Sequence, residues 1–389
     1  MLRVVIAPDS FKGSLDAPSA ASAIAEGVRR AIPGAQALAL PMADGGEGTL
    51  DAVLAASGPT ATRRTMPVTG ASGLARIAAW GLVAGERGGV GVLECAQVVP
   101  ITDAAAMAAP VSRRSTVGLG VQILALLDAG VRRMMIGLGG SSTNDGGAGL
   151  LAALGVRFLD AAGRDVASTP RGLERLARAD ASSFDARLAA CEIAILSDVN
   201  NPLAGPRGAT AIFGPQKGVA ADRVAAIDAT IARYAALVEP ALGRGAAERP
   251  GAGAAGGLGY ALMLAGGTLR SGAEVVADLI GLDAALDDAD WAITGEGRSD
   301  AQTLLSKGPS VVAGRARARG VPVSLLSGAI DASSLPALNA RFDGCFALPA
   351  GPATLDACVR DAATTLADRA EAMTRLFAAS RATASARGR

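Results

Sequence analysis

The residues best able to do chemistry in this chain are carboxylates, amides, hydroxyls and a few cations, and they recur just after short apolar runs. Asp9, Ser10 and Lys12 follow Val4-Val5-Ile6-Ala7, and Asp44 and Glu47 follow Ala37-Leu38-Ala39-Leu40. Asp198, Asn200 and Asn201 follow Ile193-Ala194-Ile195-Leu196, and Glu296, Arg298 and Asp300 follow Trp291-Ala292-Ile293-Thr294. A loop with six glycines, residues 137–149, stands between Met134-Met135-Ile136 and Leu150-Leu151-Ala152-Ala153-Leu154. Each ordered glycine costs roughly 0.5–1 kcal/mol relative to alanine, so something excludes side chains there. Either an anion approaches the backbone N–H groups at a helix start, or strand and helix pack too closely for side chains. The first reading makes Gly139, Gly140, Ser141, Ser142, Thr143, Asn144, Gly146 and Gly147 an anion cradle. A second small-residue loop, 250–259 with Gly256 and Gly257, is another cradle or a hinge. Gln216 and Lys217, in a Gly/Pro-rich loop, either reach an anion or lie solvated on the surface.

The chain contains no histidine. Ser-His-Asp and Cys-His nucleophiles and His-ligated metals are therefore excluded, and acid–base work falls to Asp, Glu, Lys, Tyr or Cys. The four cysteines are dispersed, without a CxxC pair, which fits buried thiols in a reducing compartment. Anion cradles, carboxylates and cations without histidine suit phosphoryl transfer, which needs positioning and charge neutralisation more than covalent chemistry. Carboxylates can hold Mg²⁺ through a few contacts while phosphates and water complete its shell. Asp198 reads as a general base or Mg²⁺ ligand, with Asn200 and Asn201 holding hydroxyls or a carboxylate; an Asx-turn before Pro202 is the structural alternative. For the other loops the alternative is helix capping, by Ser14 or Asp16 at the first helix and Asp44 at the second. Lys12 and Arg298 oppose that reading, because cations disfavour helix starts. No Walker A sequence is present.

These groups need a scaffold. The 389 residues are half apolar and 19% charged with a net charge of +1, as expected of a soluble globular protein of two domains. Near-neutral charge and only 3% aromatic residues argue against nucleic acid as a partner. The first strand reaches Asp9 too soon for a signal peptide, and the window 250–269 is broken by seven glycines, so neither secretion nor a membrane span is expected and the location reads as cytoplasmic. Strand–helix alternation at both ends implies a parallel sheet with right-handed crossovers, whose carboxyl edge gathers ligands. From about Thr62 three strand-like runs separated by glycine-rich turns suggest an antiparallel or mixed patch. Residues 205–217 read as loop, the strand at Trp291 as ending at Gly295, and the tail after Ala378 as frayed. The expected fold is α/β: a doubly wound parallel-sheet domain from residues 1–64 and 286–389, with an inserted mixed-sheet domain over 65–285.

The ordered segments PDSFKGSL (8–15), ADGGEGT (43–49), GGSSTNDGGAG (139–149), DVNNP (198–202), FGPQKG (213–218), PGAGAAGGLG (250–259) and TGEGRSD (294–300) give the chain a resemblance to the bacterial class I glycerate kinase family over essentially its whole length. The resemblance implies ATP-dependent phosphorylation of D-glycerate at the 2-hydroxyl with Mg²⁺, a Rossmann-like domain carrying a large insertion, and a site in the cleft between them. On that footing Asp198 is the base, and Lys12 and Arg298 bind the glycerate carboxylate or the moving phosphoryl group. Asp9, Ser10, Asn200, Asn201, Gln216 and Lys217 surround the substrate. The 137–149 loop with Gly256 and Gly257 holds ATP phosphates, and Mg²⁺ falls to some of Asp44, Glu47, Glu296 and Asp300. Which small-residue loop takes the nucleotide stays open, and the molecule would act as a monomer or homodimer. The chain departs from the family pattern at Glu94–Pro100 and at Ser299, where leucine is usual; neither is expected to touch the chemistry, though the first could alter the domain interface or substrate pocket. A kinase making 3-phosphoglycerate, a kinase of another small hydroxy acid, and a non-catalytic nucleotide- or anion-binding module are the competing readings.

Overall fold

The apolar runs at both ends and in the middle of the chain become strands. The computed structural model describes residues 1–305 and 307–387. In chain order the strands are β1 (Arg3–Ile6), β2 (Gln36–Ala39), β3 (Ala61–Thr69), β4 (Ala75–Val83), β5 (Val90–Glu94), β6 (Arg133–Gly137), β7 (Arg157–Leu159), β8 (Arg178–Asp180), β9 (Glu192–Leu196), β10 (Thr268–Arg270), β11 (Trp291–Ser299), β12 (Val323–Ile330) and β13 (Gly344–Ala347). They belong to two compact units. One comprises Met1–Asp44, Asp51–Gly58 and the chain from Ala273 on; the other comprises Gly45–Leu50 and Pro59–Gly272.

The first unit is built on a parallel sheet of order β13-β12-β11-β1-β2. From β1 the chain moves to one side, through the helix Ala17–Ala31, into β2. From β11 it moves to the other side, through Gly308–Ala318 and Leu335–Arg341, into β12 and β13. Right-handed crossovers running in opposite directions put their helices on opposite faces, and a ligand crevice forms where the directions diverge. Here that point lies between β1 and β11.

Helix Ala17–Ala31 forms because Asp16 accepts from Ser19 N (2.7 Å), Pro18 occupies its first turn, and Arg29 and Arg30 sit in its last. Its buried Ala20, Ile24 and Val28 share a core with Val4 and Ile6 of the sheet and with Leu366, Ala370 and Met373 of the helix Ala362–Arg387. A Cβ on Gly27 would stand 2.1 Å from Ala367 O, so only glycine permits this helix contact. The terminal helix continues past Ala378 to Arg387, and the last two residues of the tail expected to fray, 388–389, lie outside the described residues; Phe377 stacks on Trp291 (4.6 Å) and Arg381 pairs with Asp290 (2.6 Å). β11 likewise runs past Gly295 to Ser299, because β12 extends beside it and pairs Glu296 with Ser327 and Arg298 with Ala329.

The second unit carries a mixed sheet of order β10-β9-β6-β5-β4-β3. β3, β4 and β5 are antiparallel neighbours, while β5, β6, β9 and β10 run parallel. Arg63, Arg64 and Pro67 on β3 discourage further pairing at that edge. The three-residue strands β7, β8 and β10 escape a periodicity search because a three-residue strand has no period to show. For a similar reason the expected loop 205–217 contains a single-turn helix, Ala209–Phe213, and a tight turn, Pro215–Lys217.

Glycines let the backbones of this unit meet. Gly257 (φ +98°) faces Gly146 so closely that an added Cβ would lie 2.4 Å from Gly146 Cα. Gly257→Ala should therefore lower unfolding free energy by on the order of 3 kcal/mol, from left-handed strain plus backbone overlap. Gly163→Ala, with similar φ but nothing within 4 Å, should cost only about 1–2 kcal/mol. Urea melts of the two variants measure the difference; equal losses would remove the close-approach argument.

Candidate active site

The loop after β1 closes on itself. Phe11 and Leu15 exchange backbone hydrogen bonds (2.8 and 3.0 Å), and the Phe11 ring is buried, which leaves Lys12 exposed. Asp9 N donates to Gly295 O (2.8 Å), joining the ends of β1 and β11, and Ser10 N donates to Asp9 Oδ1 (2.6 Å). Burial, then the charge of Asp44, push the Asp9 carboxyl up to about 7; Glu296 adds to the rise, and Ser10 N–H and Lys12 oppose it. Lys307 Nζ lies 3.9 Å from Asp44 Oδ2. Glu296 is itself raised by burial, against donors Thr303 Oγ1 (2.6 Å) and Ser299 Oγ (2.9 Å) that reach its Oε1. Asp9, Asp44, Glu296, Lys12 and Lys307 thus form one electrostatic group at the divergence of the sheet.

Two sequence expectations change here. Ser299, thought remote from the chemistry, is buried and hydrogen-bonded to Glu296, so its hydroxyl bears directly on a candidate ligand. Asp300 behaves as a cap: Oδ1 accepts from Gln302 N (2.8 Å), and its own N donates to Thr303 Oγ1 (3.0 Å). At the first helix the cap is Asp16, so Asp9 and Lys12 are not needed there. Arg298 is exposed, and its charge helps lower the Asp331 carboxyl behind the hydrogen bonds from Ser333 and Ser334. Lys307 escaped the sequence reading. Its signal is a cation at the start of the helix Gly308–Ala318, where the helix dipole disfavours it.

The second unit holds the glycine-rich loop. Its helix start is already filled by an anion from the loop itself: Asp145 accepts from Gly147 N (3.0 Å), Gly149 N (3.1 Å), Thr116 N (2.8 Å) and Thr116 Oγ1 (2.8 Å). Burial raises Asp145, and those donors restrain the rise. Close packing accounts for several glycines. An added Cβ would lie 2.5 Å from Gly46 Cα at Gly139, 2.9 Å from the Tyr234 ring at Gly146, 2.4 Å from Ala261 Cβ at Gly147 and 2.1 Å from Thr143 O at Gly256. Ser142, Thr143 and Asn144 are buried, whereas Gly140 is exposed. Most of the expected cradle is therefore internal packing, and its open part is the turn at Gly140.

Lys217 does not reach outward either. It is 2% exposed, and Nζ donates to Ser141 Oγ (3.0 Å) and Thr143 O (2.7 Å). Burial pushes its ammonium down to about 8. Arg114, which the sequence did not single out, is buried beside it and donates to Ser142 O (2.8 Å) and Lys217 O (2.9 Å). The two cations hold the underside of the loop. Glu94 is buried and accepts from Leu50 N and Gln97 Nε2; burial raises it, and Glu47, which is exposed, adds to the rise. Glu47 thus acts on Glu94. Asp198 and Asn200 are exposed just past β9, and Gln216 is exposed in its turn. Asn201 Nδ2 donates to Arg207 O (2.7 Å), so that amide braces its own loop.

Among the described residues no three Asp, Glu or Cys side chains converge on a metal position. Mg²⁺ does not require three, because it usually binds through one or two carboxylates with water and phosphate in the remaining places. Among the described residues no helix is long and apolar enough to cross a membrane.

A parallel sheet with its crowded carboxylates, and a mixed sheet with a packed glycine loop, define an α/β protein. The model of the glycerate kinase family matches residues 4–378, and the chain belongs to that family. A glycerate kinase of Bacillus subtilis is 39% identical over 368 residues, covering 93% of this chain and 94% of the relative. A glycerate 2-kinase of Escherichia coli is 38% identical over 362 residues, covering 93% and 94%. A crystal structure of a provisionally assigned glycerate kinase 2 from Salmonella typhimurium superposes with a TM-score of 0.86 at 39% identity, covering 98% of this chain and 99% of that one. The protein is accordingly an enzyme, a kinase.

The raised Asp9 has a measurable consequence. The folded chain keeps a proton that the unfolded chain releases near pH 4, so this carboxyl's contribution to stability falls as pH rises from about 4 to about 7. Asp9→Asn should leave the Tm unchanged near pH 4 and raise it by several degrees at pH 8 in metal-free buffer, since each pKa unit is worth about 1.4 kcal/mol. Calorimetry at the two pH values tests this; a variant less stable at pH 8 would mean that burial and neighbouring charge do not hold Asp9 protonated.

Proposed function

We propose that the enzyme transfers the γ-phosphoryl group of ATP to the 2-hydroxyl of D-glycerate, giving 2-phosphoglycerate and ADP with Mg²⁺ present. The observation that carries this reading is the group of Asp9, Asp44 and Glu296 beside Lys12 and Lys307, a constellation suited to a metal-bound polyphosphate. Family membership and the E. coli relative's assignment as a glycerate 2-kinase support it.

In this reading Asp198 accepts the proton of the attacking hydroxyl. The new bond joins that oxygen to the γ-phosphorus, and the bond to the β,γ-bridging oxygen breaks. Asn200 and Asn201 orient the acid, the latter from a braced loop, with Gln216 and Ser10 completing its surroundings. Lys12 and Arg298 neutralise the transferring group, and the Gly140–Ser141 turn meets phosphate oxygens. Lys217 and Arg114 act from below by setting that turn. Asp44 and Glu296 would hold Mg²⁺, which supplies charge neutralisation at the phosphates. Four free cysteines accord with work in a reducing cytoplasm.

A coupled ADP-release assay with and without D-glycerate, in Mg²⁺ and in EDTA, tests the activity, and the phosphorus NMR spectrum of the product identifies the phosphorylated hydroxyl. A 3-phosphoglycerate signal would reject the 2-hydroxyl assignment. Asp198→Asn should lower kcat by at least about 100-fold, the usual scale of general-base loss, while ATP affinity stays near that of the parent. A kcat within a few-fold of the parent would exclude Asp198 as the base.

A further inference from the structure

The first unit contains a cavity of about 810 Å³ on the carboxyl side of its sheet. Its floor is backbone, formed by Gly297 of β11 and Gly328 of β12; a Cβ on Gly328 would lie 2.4 Å from Gly297 O. Phe11 and Lys12, after β1, form one wall. The loop after β13, the helix Leu355–Arg360 and the start of the helix Ala362–Arg387 form the other; Asp361 and Asp368 stand there at the end away from β1, and Arg369 Nη2 donates to Leu348 O and Pro349 O (both 3.2 Å), tying that loop down.

Three features bear on what the cavity takes. Its volume lies within the roughly 300–1,000 Å³ of small-molecule sites. Its lining is mostly apolar, and Leu355 and Val359 stand beside it 78% and 37% exposed, so large apolar side chains lack cover. Lys12 supplies a cation at one end, next to the divergence between β1 and β11, where nucleotides meet open parallel sheets. The matching ligand is largely apolar, with an anionic group at the Lys12 end.

We propose that this cavity takes the base and ribose of the phosphoryl donor, with the phosphate chain leaving past Lys12 toward Asp9 and Glu296. The assignment rests on the kinase reading and deepens it. The base and ribose then belong to the first unit. It also accords with the glycine-rich loop being closed by its own packing.

Cys358 lines the cavity and reports on its occupancy. The full chain is treated briefly with iodoacetamide, and alkylation of Cys358 is quantified by peptide mass spectrometry, with Cys191 of the other unit as internal reference. ADP or adenosine should slow Cys358 labelling at least about fivefold, while D-glycerate and tripolyphosphate should not. Val359→Trp, at an exposed position, should raise the KM for ATP by about tenfold, or 1.4 kcal/mol, and leave the KM for D-glycerate within about twofold. Unchanged labelling with ADP, together with an unchanged ATP KM in a chain that still phosphorylates D-glycerate, overturns the pocket and leaves the kinase reading intact. Protection by tripolyphosphate but not by adenosine overturns it too. Protection by adenosine in a chain that fails to consume ATP with D-glycerate upholds the pocket and removes the kinase reading.

Discussion

The opposite departure of the chain from β1 and from β11 is the constraint on which the first unit depends. A parallel neighbour needs a crossover of fixed hand, so two crossovers leaving in opposite directions cover opposite faces of the sheet. The carboxyl edge between the two strands then lies outside both crossovers, and loops from distant parts of the sequence end there. Asp9 and Glu296 are nearly three hundred residues apart, yet Asp9 N reaches Gly295 O because β1 and β11 pair in register.

The two units handle their buried charges in different ways. In the first, burial and then the neighbouring charge of Asp44 hold the Asp9 carboxyl up to about 7. In the second, buried cations and carboxylates are largely satisfied: Lys217, Arg114 and Asp145 each have several partners, and the helix N-terminus is occupied by a carboxylate of the loop. The second fixes backbone geometry, and Thr143 Oγ1 and Asn144 Oδ1, buried without partners, show that the packing is not wholly satisfied.

Much of this was legible before the fold was seen. Strand–helix alternation announced the parallel sheet, three runs after Thr62 announced the mixed one, and the carboxylates were found because they stand just beyond apolar runs. Short elements were not legible: three-residue strands and the single turn Ala209–Phe213 carry no period. The extension of β11 through Glu296 and Arg298 was hidden for a different reason. A Gly-Glu-Gly-Arg segment has little strand propensity, and only pairing with β12 stabilises it there.

By itself the sequence determined which chemistry the protein can attempt, since the absence of histidine and the supply of carboxylates, amides and cations are facts of composition. It also determined the family, because the motifs occur in order along nearly the whole chain. The tertiary structure alone decided what each group touches. Asp300 caps a turn, Asp145 fills a helix start, Lys217 turns inward, and Ser299 touches Glu296. Those outcomes depend on which backbone N–H groups lack partners and which charges are brought together, and both are set by contacts between residues far apart in the chain.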